Sequence, residues 1–431
     1  MAKRPRGLMP RGRFAIGRCQ YLNSLHIREL HYKASNGTDF HVGMIPEARF
    51  CGGAEKSLSS LLNLFDYQRY DVYLQMINRG GTFEKLLPPQ VKILPSIPYF
   101  QFCGLPLVKQ LTAGNIRFLK ARLAVSEHLR KNDRAGKPLH ATQVLWNGAR
   151  NAFDLLPGVY DVAIAWGQGT PTHFVAEKVN AEKKIAWVNA DYEGVGFNRG
   201  FDREIYGRYD YISCVSEQLS EKFREVFPEY AEKVVTVYDI NSEKLIRSMA
   251  EEPADLPPLH GTVITTVGRL VTQKGYDIAI EAARILKEQG ADFTWMVCGE
   301  GPERKMLEEK IGQYGLQKDF ILLGVQANPY PYMKAGDIYV QTSRFEGYCL
   351  TLTEARILNR PCVATNFDVV YDQMVQGENG LVVEMTPEAV AEGILRLMRD
   401  PALYAHIRQY QQSEEKGNEG EIQRVFRILE E

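Results

Sequence analysis

Two carboxylates, Glu346 and Glu354, lie eight positions apart in Arg344-Phe345-Glu346-Gly347-Tyr348-Cys349-Leu350-Thr351-Leu352-Thr353-Glu354. The apolar run 337–341 reads as a buried parallel strand and 350–358 as the helix after it. The loop between them then falls at the carboxyl end of a sheet, where open α/β folds bind ligands. Glu346 opens that loop and Glu354 sits about a turn into the helix, so both can face one crevice while the helix N-terminus offers free N–H groups to phosphate oxygens. Two acids repel a diphosphate, so hydroxyls are their expected partners, an arrangement that suits a sugar nucleotide. Taken alone, the pair is equally well a solvated loop acid and a helix N-terminal acid favoured by the dipole.

A second segment lies upstream, Thr265-Thr266-Val267-Gly268-Arg269-Leu270-Val271-Thr272-Gln273-Lys274-Gly275-Tyr276-Asp277. A strand ending at Gly268 lets backbone pass close to a ligand, and Arg269 and Lys274 bring fixed positive charge to a pyrophosphate. The order Gly-Arg, Lys-Gly, helix, then Glu-x7-Glu some seventy residues later resembles family 4 of the retaining glycosyltransferases. The resemblance runs over roughly residues 40–400. It implies an α/β chain of GT-B type, two Rossmann-like doubly wound domains facing across a cleft.

By the same resemblance, Arg269 and Lys274 hold the donor diphosphate beside Gly268, and Glu354 holds the ribose hydroxyls. Glu346, with the backbone of Gly347, Tyr348 and Cys349, holds the transferred sugar, and the Leu350 N–H faces the phosphate. In 46–56, Pro46-Glu47-Ala48-Arg49-Phe50-Cys51-Gly52-Gly53-Ala54-Glu55-Lys56, the pair Gly52 and Gly53 brings further N–H groups to the donor. Gly299, in Cys298-Gly299-Glu300-Gly301, and Val325, in Gly324-Val325-Gln326-Ala327-Asn328-Pro329-Tyr330, resemble base-binding walls. The first of these is not a dinucleotide fingerprint, because its third glycine is absent.

No Asp-x-Asp occurs, so no metal and no cofactor is expected, and Arg269 and Lys274 stabilise the leaving diphosphate instead. The implied reaction is transfer of a hexose from a nucleotide diphosphate donor, a UDP-sugar by expectation, to a glycan or lipid-linked hydroxyl with retention of configuration. One departure bears on the reacting centre: similar sequences read Trp-Val/Ile-His-x-Asp-Tyr, and this chain has Trp187-Val188-Asn189-Ala190-Asp191-Tyr192. Asn189 can hydrogen-bond but cannot carry charge or shuttle a proton. That leaves lowered activity, a different sugar, or no turnover all open. A smaller departure is Phe367-Asp368-Val369-Val370 in place of a glycine pair. Two competing readings are a sugar-nucleotide epimerase on the same fold and a catalytically silent donor-binding subunit of a glycan-assembly complex.

The elements that must position these residues alternate along the chain. Strand-like runs at 40–45, 71–76, 91–94, 161–166, 184–188, 211–215 and 234–238 define a first unit, 39–250, expected to bind acceptor. After the Pro- and acid-rich linker 251–258, runs at 263–267, 293–298, 320–323, 338–341, 361–365 and 380–383 define a donor unit, 258–410. Helical spacing over 419–431 suggests, by the resemblance, a terminal helix crossing back to the first unit. Residues 1–38 read as an unassigned basic extension.

Over 431 residues, 45% hydrophobic and 24% charged content describes an ordinary globular chain, and length alone suggests two or three domains. There is no long apolar run or h-region, and the seven scattered cysteines form no C-x-x-C pair, so a reduced cytoplasmic protein is expected. The net charge of −1 hides a split: residues 1–190 carry 26 Lys and Arg against 13 Asp and Glu, and the remainder carries 26 against 40. The densest basic stretch is 109–137, where Leu107, Ile116, Phe118, Leu119, Leu123, Val125 and Leu129 alternate with charge. It reads as one or two basic amphipathic helices that place Lys120, Arg122, Arg130 and Lys131 toward an anionic membrane surface, or as an ordinary solvated face. Nucleic acid is not expected, since no recognition motif accompanies the charge.

Overall fold

The computed structural model describes residues 40–46, 53–77, 79, 84, 86–132 and 138–431. The first sheet has seven strands: β1 (Phe40–Pro46), β2 (Tyr70–Leu74), β3 (Lys92–Ile93), β4 (Tyr160–Trp166), β5 (Ala181–Val188), β6 (Tyr211–Cys214) and β7 (Val234–Thr236). Their order is β3-β2-β1-β4-β5-β6-β7. The second has six: β8 (Thr262–Val267), β9 (Phe293–Cys298), β10 (Phe320–Gly324), β11 (Ile338–Gln341), β12 (Cys362–Thr365) and β13 (Gly380–Val383). Their order is β10-β9-β8-β11-β12-β13.

Every pairing in both sheets is parallel. Parallel neighbours need crossover connections, which here are helices lying on both faces. This is why β9 is buried along its whole length and reads as a continuous apolar run. Each sheet reverses strand order once, between β1 and β4 in the first and between β8 and β11 in the second. Those reversals open crevices at the carboxyl ends of the flanking strands.

The terminal helix Ile422–Glu430 returns to the first unit. Ile422, Val425, Ile428 and Leu429 belong to its core, and Phe426 stacks on Tyr70 at 5.2 Å. Lys183 Nζ donates to the carbonyls of Ile428 (3.1 Å) and Leu429 (2.9 Å), so a cation closes the helix end where free carbonyls gather.

Candidate functional site

The second reversal point collects the charged residues of both motifs. The turn after β8 carries Gly268 and Arg269, and the loop after β11 carries Glu346. Lys274 Nζ lies 2.6 Å from Glu346 Oε1, with the two side chains 15% and 7% exposed. The same oxygen accepts from Gln341 Nε2 at 3.2 Å and from the Ser343 hydroxyl. Oε2 of Glu346 takes no hydrogen bond among the described residues. Burial alone would lower the Lys274 pKa, but the adjacent Glu346 carboxylate outweighs it and holds the ammonium above its usual range.

Backbone proximity builds this pair. Gly275 adopts φ +64°, and a Cβ there would stand 2.1 Å from the Thr342 carbonyl oxygen, so only glycine lets the turn after β8 reach the end of β11. Arg344 then straps the two loops together through a bidentate bond to Asp277, at 2.9 and 2.8 Å. Arg269 is exposed and makes no side-chain hydrogen bond or ion pair among the described residues. Cys349 sits in the left-handed region at φ +68°, immediately before the helix Leu350–Ile357. A non-glycine residue held there marks local strain at the loop that carries Glu346.

Glu354 is 1% exposed and is met from the other unit. Lys56 Nζ lies 3.1 Å from both of its oxygens, and Tyr330 OH donates to Oε1 at 2.9 Å. Within the protein each carboxylate is already engaged by an ammonium, a partner the sequence reading did not assign. A carboxylate buried to this depth is tolerated only when paired, and the Oε2 atoms, which take at most the Lys56 ammonium among the described residues, keep lone pairs for a ligand hydroxyl.

Across the cleft, Trp166 and Trp187 stack at 4.3 Å at the ends of β4 and β5. The Trp166 indole N–H donates to the Ala54 carbonyl at 2.8 Å, which anchors the start of the helix Gly53–Leu64 bearing Lys56. Asn189 follows β5 directly. Its carbonyl oxygen would lie 2.7 Å from a Cβ on Gly347, so the glycine beside Glu346 admits the first unit's backbone into contact. The Asn189 Oδ1 is buried with no hydrogen-bond partner among the described residues. Gly53 completes the approach, since a Cβ there would meet Leu350 at 3.3 Å. Beneath this wall, Ser57 Oγ donates to Asp239 Oδ1 at 2.6 Å. Burial raises that carboxyl to about 7 against the opposing effect of the serine bond.

The structure thus brings together Gly53, Asn189, Gly268, Arg269, Lys274, Glu346, Gly347, Cys349, Leu350 and Glu354. Tyr348 leans out toward Tyr238 (5.7 Å), and Gly299 N–H donates to Gly324 O at 2.8 Å, which ties the two expected base-binding segments together. Val325 is half exposed. Gly52 lies outside the described residues. Among the basic surface residues, Lys120 and Arg130 are exposed, and Lys131 pairs with Glu127 on the surface. Arg122 is a correction: it turns inward, donating to Gln110 Oε1 at 2.6 Å and to the Cys103 carbonyl at 3.3 Å, because Gln110 is buried and needs a partner.

Lys56, Gln341 and Ser343 had no role assigned from sequence. The only signal available was that Lys56 ends the Gly-Gly-Ala-Glu-Lys segment.

Residues 250–414 match the family described as Glycosyl transferases group 1. The chain is 34% identical over 145 residues to an alpha-D-kanosaminyltransferase of Streptomyces kanamyceticus, covering 33% of this chain and 37% of that protein. It is 27% identical over 201 residues to a lipopolysaccharide core biosynthesis glycosyltransferase of Rhizobium meliloti, covering 46% of this chain and 56% of the relative. The chain thus spans about a third to a half of the length of these curated relatives. Among solved structures, Anabaena HepE in complex with UDP and glucose superimposes with a TM-score of 0.64 at 17% identity, over 91% of this chain and 99% of that one. Residues 250–414 thus resemble a glycosyltransferase group 1 domain, and the two parallel sheets have the GT-B fold.

Proposed function

We propose that the chain is a retaining hexosyltransferase of family 4 that moves a sugar from a UDP-linked donor to a hydroxyl on a glycan or lipid-linked acceptor. The observation that carries this reading is the buried Lys274–Glu346 pair beside the unpaired Arg269 guanidinium at the strand-order reversal. A diphosphate seated there would bridge Arg269 and Lys274 and face the N–H of Leu350. The free Oε2 of Glu346 would accept from the sugar hydroxyls and Glu354 from the ribose, with Gly299 and Val325 flanking the base. Support for a UDP donor comes from the fold neighbour HepE, described in complex with UDP and glucose.

In the reaction the bond from the anomeric carbon to the diphosphate oxygen breaks, and the acceptor oxygen bonds that carbon on the same face. The acceptor proton passes to the departing phosphate. Arg269 and Lys274 supply the charge that a divalent ion provides elsewhere, so neither metal nor cofactor takes part. The 39–250 unit would hold the acceptor, and the protein would work in the cytoplasm, peripheral to the membrane.

Asn189 favours a second reading, a silent donor-binding subunit, because its unpartnered amide oxygen cannot relay a proton. Thermal shift with UDP-, GDP- and ADP-sugars, followed by turnover with the best ligand, decides between them. A ligand at 100 times its dissociation constant adds about 2.7 kcal/mol to stability. Stabilisation without transfer to any acceptor supports the silent subunit, and no stabilisation by any nucleotide sugar defeats both readings.

A further inference from the structure

The helix Ile116–Asn132 and the short helix Leu107–Thr112 before it expose a surface that the transfer reaction does not use. An amphipathic helix ordinarily turns its apolar stripe inward, and Phe118 does so here. Ile116 and Leu123 do not: they are 65% and 69% exposed. At about 100° per residue, positions 116, 120, 123, 127 and 130 fall on one outward stripe, so these two apolar residues share a face with Lys120, Arg130 and Glu127, whose carboxylate is paired with Lys131. On the preceding short helix Leu107, Val108 and Leu111 are likewise 67%, 73% and 70% exposed, with Lys109 exposed between them in sequence. Single exposed leucines are unremarkable, but contiguous ones mark an interaction surface.

We propose that this surface docks the first unit onto an anionic lipid bilayer. Leu107, Val108 and Leu111 enter the acyl boundary while Lys109, Lys120 and Arg130 meet the headgroups. Charge complementarity selects this occupant, since interleaved cations and large aliphatic residues are what a negatively charged interface binds. A protein interface core is instead depleted of lysine. No helix among the described residues is long and apolar enough to cross a membrane, so the attachment is to one leaflet. The inference goes beyond the transfer reaction, and vesicle binding is read without donor, so the two can fail separately.

The test is sedimentation of the full chain with vesicles of phosphatidylcholine alone and of phosphatidylcholine mixed with phosphatidylglycerol. Binding is expected to the mixed vesicles, falling with salt. Lys120→Gln with Arg130→Gln is expected to weaken it about thirtyfold, the equivalent of about 1 kcal/mol for each charge near the surface. Leu107→Ser with Leu111→Ser should abolish it with no loss of melting temperature, since neither side chain packs in the core. In Leu111→Trp, tryptophan emission should shift to the blue on mixed vesicles. Binding that ignores both pairs of substitutions, or no binding to either vesicle, overturns the proposal. So does a solution dimer that the leucine variants dissociate while vesicle binding persists, which would make a second copy the occupant.

Discussion

The two walls of the cleft handle buried polarity in opposite ways. On the second unit, Lys274, Gln341 and Ser343 all converge on one oxygen of Glu346, so the charges are fixed before any ligand arrives. On the first, the Asn189 Oδ1 is buried without a partner among the described residues, and the Asp239 carboxyl meets only the Ser57 hydroxyl there. Preorganised charge is what stabilises a leaving diphosphate, because no reorganisation is needed at the moment of reaction. An amide oxygen open in this way has acceptor capacity for a ligand hydroxyl. On the proposed reading the second unit's wall is built for one chemistry, and the facing wall is where specificity can vary.

Breaking the preorganised wall should have the largest effect. Lys274→Ala is expected to lower turnover about a hundredfold or more and also to cost about 3–5 kcal/mol of stability, because it leaves the Glu346 carboxylate buried without a counter-charge. Arg269→Ala should show a similar kinetic loss with an unchanged melting temperature, since its guanidinium is exposed and unpaired. Kinetics and thermal melts on the two variants separate the roles. Wild-type turnover in both would remove the diphosphate assignment. Activity is further expected to survive EDTA, and loss reversed by manganese or magnesium would refute the metal-free mechanism.

Next in size is the joint between the walls. Lys56→Met strips Glu354 of its cation while Tyr330 alone remains, and stability should fall by about 3 kcal/mol. Lys56→Arg should recover most of it. An unchanged melting temperature in Lys56→Met would mean that the two units do not close on this pair in solution.

Asp239 offers a pH signature on the opposite wall. Its folded pKa of about 7 stands above the ordinary carboxylate value of 3.8, so between those limits the native state holds a proton that the unfolded chain has released. Stability contributed by that proton is complete near pH 4 and is lost as pH rises through about 7, with a slope of up to about 1.4 kcal/mol per pH unit. Asp239→Asn keeps an oxygen for Ser57 and removes the ionisation, so its melting temperature should vary less between pH 4.5 and 8. Parallel curves for the two proteins would show that the carboxyl is not buried as described.

The contrast also explains what the sequence made legible. Strands such as Phe293–Cys298 were visible because a parallel strand covered on both faces must be apolar throughout, whereas β5 begins at Ala181, earlier than the apolar run at 184, because Ala181 and Lys183 pair with Tyr160 and Val162 of β4 at its less buried end. Arg269, Lys274, Glu346 and Glu354 were legible as residue types at fixed spacing along single turns. Lys56 was not, because an ion pair joining residues 298 apart leaves no periodicity. Arg122 was misassigned for a related reason: the helical pattern reports charge but not the buried Gln110 that draws the guanidinium inward. The same residues, read as one apolar face, include Ile116 and Leu123, which the structure leaves 65% and 69% exposed.

The smallest expected effect tests whether the permissive wall is permissive in fact. Asn189 lies at the contact with Gly347, and its Oδ1 gives up no protein hydrogen bond on substitution, so Asn189→His should change stability by less than about 1 kcal/mol. If catalysis rests on Arg269 and Lys274, imidazole beside the reacting carbon should hold or raise turnover severalfold, because it can hydrogen-bond the sugar and tune charge there. Donor affinity, set by the diphosphate and the ribose, should stay the same. Steady-state kinetics with one donor reads both quantities. A fall in turnover at constant affinity would mean that asparagine is fitted to a different sugar, which sharpens the division between the walls. A fall in affinity for the bare nucleotide diphosphate would break that division, because it would place Asn189 in the phosphate machinery of the opposite domain.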